Sequence, residues 1–494
     1  MPVDYKELKK DREQKWREEL RKKNPARERT KAERVVMPEV RPLERIKDFL
    51  EVNQGLSVDQ AVSEAKRCLD CPTPTCVSGC PVNINIPGFI KQIEKCDFGS
   101  AARVLKETNA LPAVCGRVCP QEVQCEIKCI YNRLHRKPVA IGYLERFASD
   151  HERKSGTIYI PKIQDKNNIK VAVIGSGPAG LTVAGEMAKL GYAVTVFEAL
   201  HELGGVLVYG IPEFRLPKEI VKSEINYLGK IGVTFIKNVI VGKTMTIEEL
   251  KADGFKAFFI GSGAGLPKFM HVPGENLIGI YSSNEYLTRV NLMKAFKFPE
   301  FDTPIVHGKN VAVIGGGNTA MDSVRTAKRL GADRAMIIYR RSEQEMPARI
   351  EEVHHAKEEG VEFMTLTNPI AYSGDVNGRV CQMKVQKMGL GAADESGRKR
   401  PVPLAGSEYT IDVDTVVVGV GTDPNPIIPK SIGGLELTKW CTIVVNEKTM
   451  QTSIPEMFAG GDIVRGGATV ILAMGDGKVA AESMHLFLSG QLKN

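Results

Sequence analysis

Tryptophan is nearly absent from this chain of 494 residues, with 2 copies, and histidine is scarce, with 8. His201, His271 and the pair His354–His355 show no shared ligand spacing, so structural or solvated roles are expected for them. No Ser-His-Asp or Cys-His nucleophile is apparent. No run reaches the roughly 18 consecutive apolar residues of a membrane-crossing helix. The opening MPVDYKELKKDREQKW lacks the apolar stretch of a secretory signal, and a cytoplasmic chain is expected. Charge of one sign is not in large excess either: 67 Lys+Arg against 59 Asp+Glu leave +8. Residues 1–34 hold 13 of the basic and 8 of the acidic residues. No base-stacking motif or groove-reading helix accompanies them, so nucleic acid is not an expected partner. That stretch reads as a solvated, mostly helical arm, for which an acidic protein surface is a better partner than DNA.

What is present is ordinary globular composition: 43% hydrophobic and 26% charged residues exclude a disordered or collagen-like chain. The length predicts about three domains. The cysteines are clustered. Nine of 11 lie between Cys68 and Cys129, which excludes a disulfide-stapled miniprotein and favours metal or redox chemistry. The first run is Cys68-x2-Cys71-x4-Cys76-x3-Cys80-Pro81. The second is Cys115-x3-Cys119-Pro120-x4-Cys125-x3-Cys129. Structural zinc usually takes two close pairs split by a spacer. Four cysteines within 13 residues ending in Cys-Pro instead resemble the bacterial ferredoxin run, where the last cysteine serves the other cluster. By that logic Cys80 joins Cys119, Cys125 and Cys129 on one [4Fe-4S] cluster. Cys68, Cys71 and Cys76 hold a second and need a fourth ligand, with Cys115 and Glu145 both open by spacing. Cys96 fits neither group. Pro81 and Pro120 stop a helix from running through the ligand loops.

Two dinucleotide-binding units follow. Lys170-Val-Ala-Val-Ile reads as a buried strand leading to Gly175-Ser-Gly177-Pro178-Ala179-Gly180, a helix, and a second strand ending near Glu198. The glycines allow backbone N–H groups to approach a pyrophosphate at the helix N-terminus. Glu198 suits ribose hydroxyls. The unit recurs as Asn310-Val-Ala-Val-Ile, then Gly315-Gly-Gly317-Asn318-Thr319-Ala320, with Arg340 and Arg341 where an acid would stand. An acid repels a 2′-phosphate and an arginine fork binds one, so this unit suits NADP.

Later strand-then-glycine stretches, at 257–264 and 415–425, and Phe458-Ala-Gly-Gly461-Asp462 complete an order that resembles glutathione-reductase-like flavoproteins. That resemblance implies an NADP domain inserted in an FAD domain, with Asp462 on the flavin ribityl chain and a helix from about Ala468 aimed at the flavin. Gly205, Arg215, Gly263 and Thr469 join the expected flavin-side contacts. The redox-active cysteine pair of that class is missing from both domains, so electrons must leave the flavin another way.

Over residues 42–494 the chain resembles the small (β) subunit of glutamate synthase. The carrying words are Cys68-Leu-Asp-Cys71, Cys76-Val-Ser-Gly-Cys80-Pro, Cys115-Gly-Arg-Val-Cys119-Pro, Glu213-Phe-Arg-Leu-Pro217, Tyr339-Arg-Arg-Ser and Glu345-Met-Pro-Ala348. Dihydropyrimidine dehydrogenase contains a similar module. Cys71-Pro-Thr-Pro-Thr-Cys76 and Pro81-Val-Asn-Ile-Asn-Ile-Pro-Gly-Phe-Ile resemble one branch. It includes the large subunit of NADH-dependent reduced ferredoxin:NADP oxidoreductase, homotetrameric NADPH glutamate synthase and sulfide dehydrogenase. The resemblance implies an acidic or amide fourth ligand for the three-cysteine cluster, which favours Glu145 over Cys115.

The expected fold is α/β, beginning with a basic arm (1–41), a helical bis-[4Fe-4S] domain (42–150) and a linker (151–169). An FAD domain in two segments (170–285 and 411–494) then encloses an NADP domain (286–410). The expected activity is NADP(H)-dependent electron transfer through FAD and two [4Fe-4S] clusters, with no catalytic side chain. Expected partners are a larger glutamate synthase subunit or a smaller ferredoxin-reductase-like flavoprotein, with ferredoxin as a further acceptor, in a hetero- or homo-oligomer. A zinc-holding, NADPH-binding scaffold is the non-enzyme alternative.

Overall fold

The computed structural model describes residues 3–395 and 397–492. Among these, no helix is long and apolar enough to cross a membrane. Two five-stranded parallel sheets form the centre. The first has the order Met457–Ala459, Phe255–Ile260, Lys170–Ile174, Ala193–Phe197, Thr234–Ile236. Alternation along Lys170–Ile174 explains its two covered faces. Val171 and Val173 join a core with the helices Pro178–Lys189 and Val470–Leu488. Ala172 and Ile174 join another with Ile247 and Leu250.

The second sheet has the order Ile280–Ser282, Thr415–Val418, Asn310–Ile314, Arg334–Tyr339, Glu362–Thr365. One of its faces packs on the helix Asn318–Arg329. The other packs on an antiparallel sheet of Thr367–Gly374, Val380–Ala393 and Lys399–Asp412. That antiparallel sheet covers apolar strand surface that a helix would otherwise have to bury, and the sequence pattern did not announce it. The chain therefore leaves the first sheet after Ile260 and returns to it at Met457. Strands Ile280–Ser282 and Thr415–Val418 both pair in the second sheet, so the boundaries expected at 285/286 and 410/411 move outward to enclose them.

The cysteine-rich domain is helical. Ser57 and Gln60 form a capping box that starts Val58–Arg67, and Asn85 and Asp97 cap Ile86–Glu94 and Phe98–Thr108. Phe89, Leu105, Leu111 and Leu144 are fully buried and belong to the same apolar core as the first sheet's helices. The cluster region and first nucleotide domain thus share one interior. Two expectations are corrected. The helix Ile141–Ser155 extends past 150, so the linker is shorter than 151–169. The N-terminal arm is helical (Tyr5–Arg12, Lys15–Lys23, Ala26–Arg29) but not simply solvated, because Arg17 and Arg29 are buried against the cysteine domain.

Candidate functional site

Cys68, Cys71, Cys76 and Cys129 line one pocket with Pro74, Ile86, Ile90 and Tyr131. Cys68 ends the helix Val58–Arg67 and Cys76 lies on the short helix Thr75–Ser78. Burial, reinforced by the charges of Cys68 and Cys129, pushes the Cys71 thiol up to about 12. Four thiols that disfavour ionisation in one pocket become a good ligand set only when a cation compensates their charge.

Cys80, Cys119 and Cys125 form the other group, and all three are buried. Burial pushes Cys80 up to about 12, with the charges of Glu145 and Cys115 adding to it. The hydrogen bond that the Cys119 thiol donates to Cys115 and then burial raise Cys119, and burial raises Cys125, again with contributions from Cys80 and Glu145. Cys129 therefore leaves its own run, just as Cys80 leaves its run. The expected set of Cys80, Cys119, Cys125 and Cys129 is corrected: the two runs exchange their last cysteines. Glu145 consequently stands beside the Cys80 group, not the Cys68 group.

Glu145 is buried on the helix Ile141–Ser155. Its Oε1 accepts a 2.8 Å hydrogen bond from Asn109 Nδ2, and burial pushes its carboxyl up to about 8. Cys115 Sγ accepts the hydrogen bond from Cys119 and also lies 3.5 Å from Met474 Sδ and 3.7 Å from Asn109 Oδ1. Asn109 carried no sequence signal. Cys96 is exposed, away from both groups.

In the first nucleotide unit Gly175 has φ +101°, and a Cβ there would lie 2.5 Å from the Gly261 carbonyl oxygen. Only glycine permits that turn. Above Gly177 nothing lies within 4 Å of an added Cβ, which leaves room for a pyrophosphate at the start of the helix Pro178–Lys189, where Ala179 and Gly180 follow. Glu198 Oε2 accepts from Ser176 N at 3.0 Å, holding the acid at the strand end. Ser262 Oγ, beside Gly263, is buried without a partner, an orphan that a bound nucleotide can satisfy. Gly205 has φ +55° and packs against Gly177. Asp462 follows Gly461, accepts from Ala468 N at 3.0 Å, and is pushed up to about 6 by burial. Thr469 caps the helix Val470–Leu488. Burial raises the Tyr209 hydroxyl to about 12, with Asp462 and Glu198 both contributing, so this unanticipated tyrosine sits near both acids. The donor set fits FAD.

The second unit repeats the turn. Gly315 has φ +140°, with the Gly419 carbonyl oxygen 2.3 Å from an added Cβ, while a Cβ on Gly317 would meet only Pro347 Cγ, at 3.9 Å. Asn318, Thr319 and Ala320 begin the helix Asn318–Arg329. The expected arginine fork is corrected. Arg341 is buried, donating from Nε to the Lys399 carbonyl at 2.8 Å and from Nη2 to Asp394 at 2.6 Å. It anchors the antiparallel hairpin. Arg340 at the end of the strand Arg334–Tyr339 is exposed, with no ion pair among the described residues.

Arg215 is not at the flavin turn. Its Nη1 donates to both Asp322 oxygens at 2.7 Å, and Nε lies 3.0 Å from Glu352. It ties the first nucleotide domain to the second. Arg325 pairs with Glu352 and Glu359, and Arg45 with Glu359, so one buried network joins three domains. Removing one partner strands a buried charge. Arg215→Ala is expected to destabilise the chain by about 3–5 kcal/mol, read as a lowered midpoint in denaturant titration. An unchanged midpoint would show that water replaces the guanidinium.

The helix Val470–Leu488 connects the sites. A Cβ on Gly477 would lie 2.5 Å from the Ala179 carbonyl oxygen, in the first pyrophosphate turn. On the same helix, a Cβ on Gly475 would lie 3.2 Å from Pro81, Lys478 Nζ donates to the Val82 carbonyl at 3.1 Å, and Met474 meets Cys115.

Two nucleotide-binding sheets, the first of which shares a core with a cysteine-rich helical domain, define an iron–sulfur pyridine-nucleotide oxidoreductase. Residues 45–157 match the family described as dihydropyrimidine dehydrogenase domain II, 4Fe-4S cluster, and residues 169–477 match pyridine nucleotide-disulphide oxidoreductase. The NADPH glutamate synthase small chain of Azospirillum brasilense is 37% identical, covering 91% of this chain and 94% of the relative. That of Escherichia coli K12 is 36% identical, covering 91% and 96%. The Mycobacterium tuberculosis FprA structure in complex with NADPH shares the fold, with a TM-score of 0.55 and 19% identity over 66% of this chain and 87% of that one. The chain belongs to the glutamate synthase small-chain family. It is an oxidoreductase of the kind that uses FAD, NADP and 4Fe-4S centres.

Proposed function

We propose that the chain takes electrons from NADPH and passes them, through FAD and two [4Fe-4S] clusters, to a partner subunit. The observation that carries this reading is the helix Val470–Leu488, which touches the first pyrophosphate turn and the Pro81–Val82 loop together. Arg340, exposed at the strand end, takes the 2′-phosphate in this reading, and the Gly315–Ala320 turn takes the pyrophosphate. Glu198 and Asp462 hold the flavin nucleotide by its ribose and ribityl hydroxyls. When bound, FAD accepts a hydride as an electron pair and releases electrons singly, chemistry no side chain supplies. Cys80, Cys119, Cys125 and Glu145 hold the cluster on the flavin side. Cys68, Cys71, Cys76 and Cys129 hold the outer one. Apolar side chains wall the outer pocket against water, and the carboxylate ligand distinguishes the two potentials.

Stopped-flow mixing with NADPH under anaerobic conditions tests this order. Flavin absorbance is expected to bleach first and the cluster bands second. Gly475→Val, which drives a side chain into Pro81, is expected to slow only the second phase. Cluster reduction that precedes flavin reduction, or a colourless zinc-loaded protein, would overturn the reading. The partner is the second question. The relatives are small chains, and we propose a larger synthase subunit as the electron acceptor. Native purification that yields a small flavoprotein partner instead would favour transhydrogenation with ferredoxin.

A further inference from the structure

Beyond the packing of Val3 and Leu8 on the apolar core, the arm meets the outer cysteine group through charge. The helix Tyr5–Arg12 buries no residue, and the only residue that Lys15–Lys23 buries is Arg17. Their target is Asp70, which sits between Cys68 and Cys71 with φ +54° and is fully buried. Arg17 forks onto its carboxylate, Arg21 Nη1 donates to Oδ2 at 2.5 Å, and Arg12 Nε donates to its backbone carbonyl at 2.7 Å. From the following turn Arg29 reaches the Cys68 carbonyl at 3.2 Å while pairing with Glu94, and Lys91 Nζ donates to the same carbonyl at 2.6 Å. The match to the 4Fe-4S domain family begins at residue 45, so these arginines lie outside the matched region.

A buried carboxylate next to a thiolate-ligated cluster opposes reduction, because each electron added brings one more negative charge into low dielectric. Guanidiniums on that carboxylate and on the ligand-loop carbonyl oppose it in turn. We propose that the N-terminal arm is an electrostatic clasp on the outer cluster: Arg17 and Arg21, acting through Asp70, are positioning residues that raise its reduction potential above that of the same loop without the arm. The electron that the cluster accepts comes from the flavin of the same chain, so the clasp makes that transfer more favourable. This inference rests on the assignment of a cluster to Cys68, Cys71, Cys76 and Cys129.

The test is an EPR-monitored reductive titration of the full chain, wild type against the Arg17→Gln/Arg21→Gln double variant and the corresponding Arg→Lys pair. In the double glutamine variant the outer cluster's midpoint is expected to move to more negative potential, with the Glu145 cluster unmoved. The lysine pair keeps the charge and is expected to stay near wild type. No shift, or an equal shift of both clusters, overturns the clasp. If the double variant loses iron, Arg21→Gln alone decides, since it leaves the buried Arg17 in place; the same absence of a selective shift overturns the proposal. Two-cluster signals missing from the wild type would instead overturn the cluster assignment itself.

Discussion

Glu145→Ala is expected to remove the Cys80 cluster and leave the Cys68 cluster in place. The carboxylate is buried, its charge weighs on Cys80, Cys119 and Cys125, and its Oε1 is held by Asn109. Iron bound to three thiolates with an open fourth position in a buried pocket is labile. Anaerobically purified Glu145→Ala should hold about half the wild-type iron, and one of two EPR signals should be absent. Glu145→Gln keeps an oxygen donor of the same length and is expected to retain the cluster with a changed potential, because the ligand loses its charge. Loss of the Cys68 signal instead would restore the pairing of Glu145 with Cys68, Cys71 and Cys76 that the family resemblance implies. Unchanged iron would move the role to Cys115, and Cys115→Ser would then carry the loss.

Arg340→Glu is expected to weaken NADPH far more than NADH. A charge-assisted hydrogen bond to a phosphate contributes about 1.5–3 kcal/mol, and reversing the charge adds repulsion at the same place. Together these correspond to a loss of roughly 10²–10³-fold in kcat/KM with NADPH, while NADH changes little. Rates with a one-electron dye as acceptor read this directly. Arg341→Ala should behave differently, because Arg341 holds Asp394 and the Lys399 carbonyl. It releases the hairpin and lowers the rates with both nucleotides alike. Equal losses in Arg340→Glu would end the assignment of the 2′-phosphate to that residue.

The contrast between these two arginines shows where sequence reading stops. Adjacent arginines at a strand end read as a fork, since spacing alone places both at the second nucleotide turn. Burial decides otherwise: successive residues leaving a strand point to opposite sides, so one arginine reaches solvent and the other meets Asp394 on the antiparallel sheet. That sheet is built from residues 367–412, far along the chain from the turn it supports. Arg215 lay in a recognisable word, but its partners Asp322 and Glu352 are more than 100 residues away.

The return of the chain to the first sheet was implied by family resemblance, while both nucleotide turns, the strands feeding them and the presence of two cysteine groups were legible in the residues alone. Those signals are local: a positive φ that only glycine tolerates, an apolar strand of fixed length, an acid or an arginine at the next strand end. Long-range packing settled the rest: which cysteines stand together, that Glu145 faces Cys80, and that an arm of arginines closes on Asp70. Ligand sets depend on where distant segments return: Cys129 meets Cys68 across 61 residues, and Glu145 meets Cys80 across 65. Helix packing in a shared core sets those returns, and spacing along the chain carries no record of them.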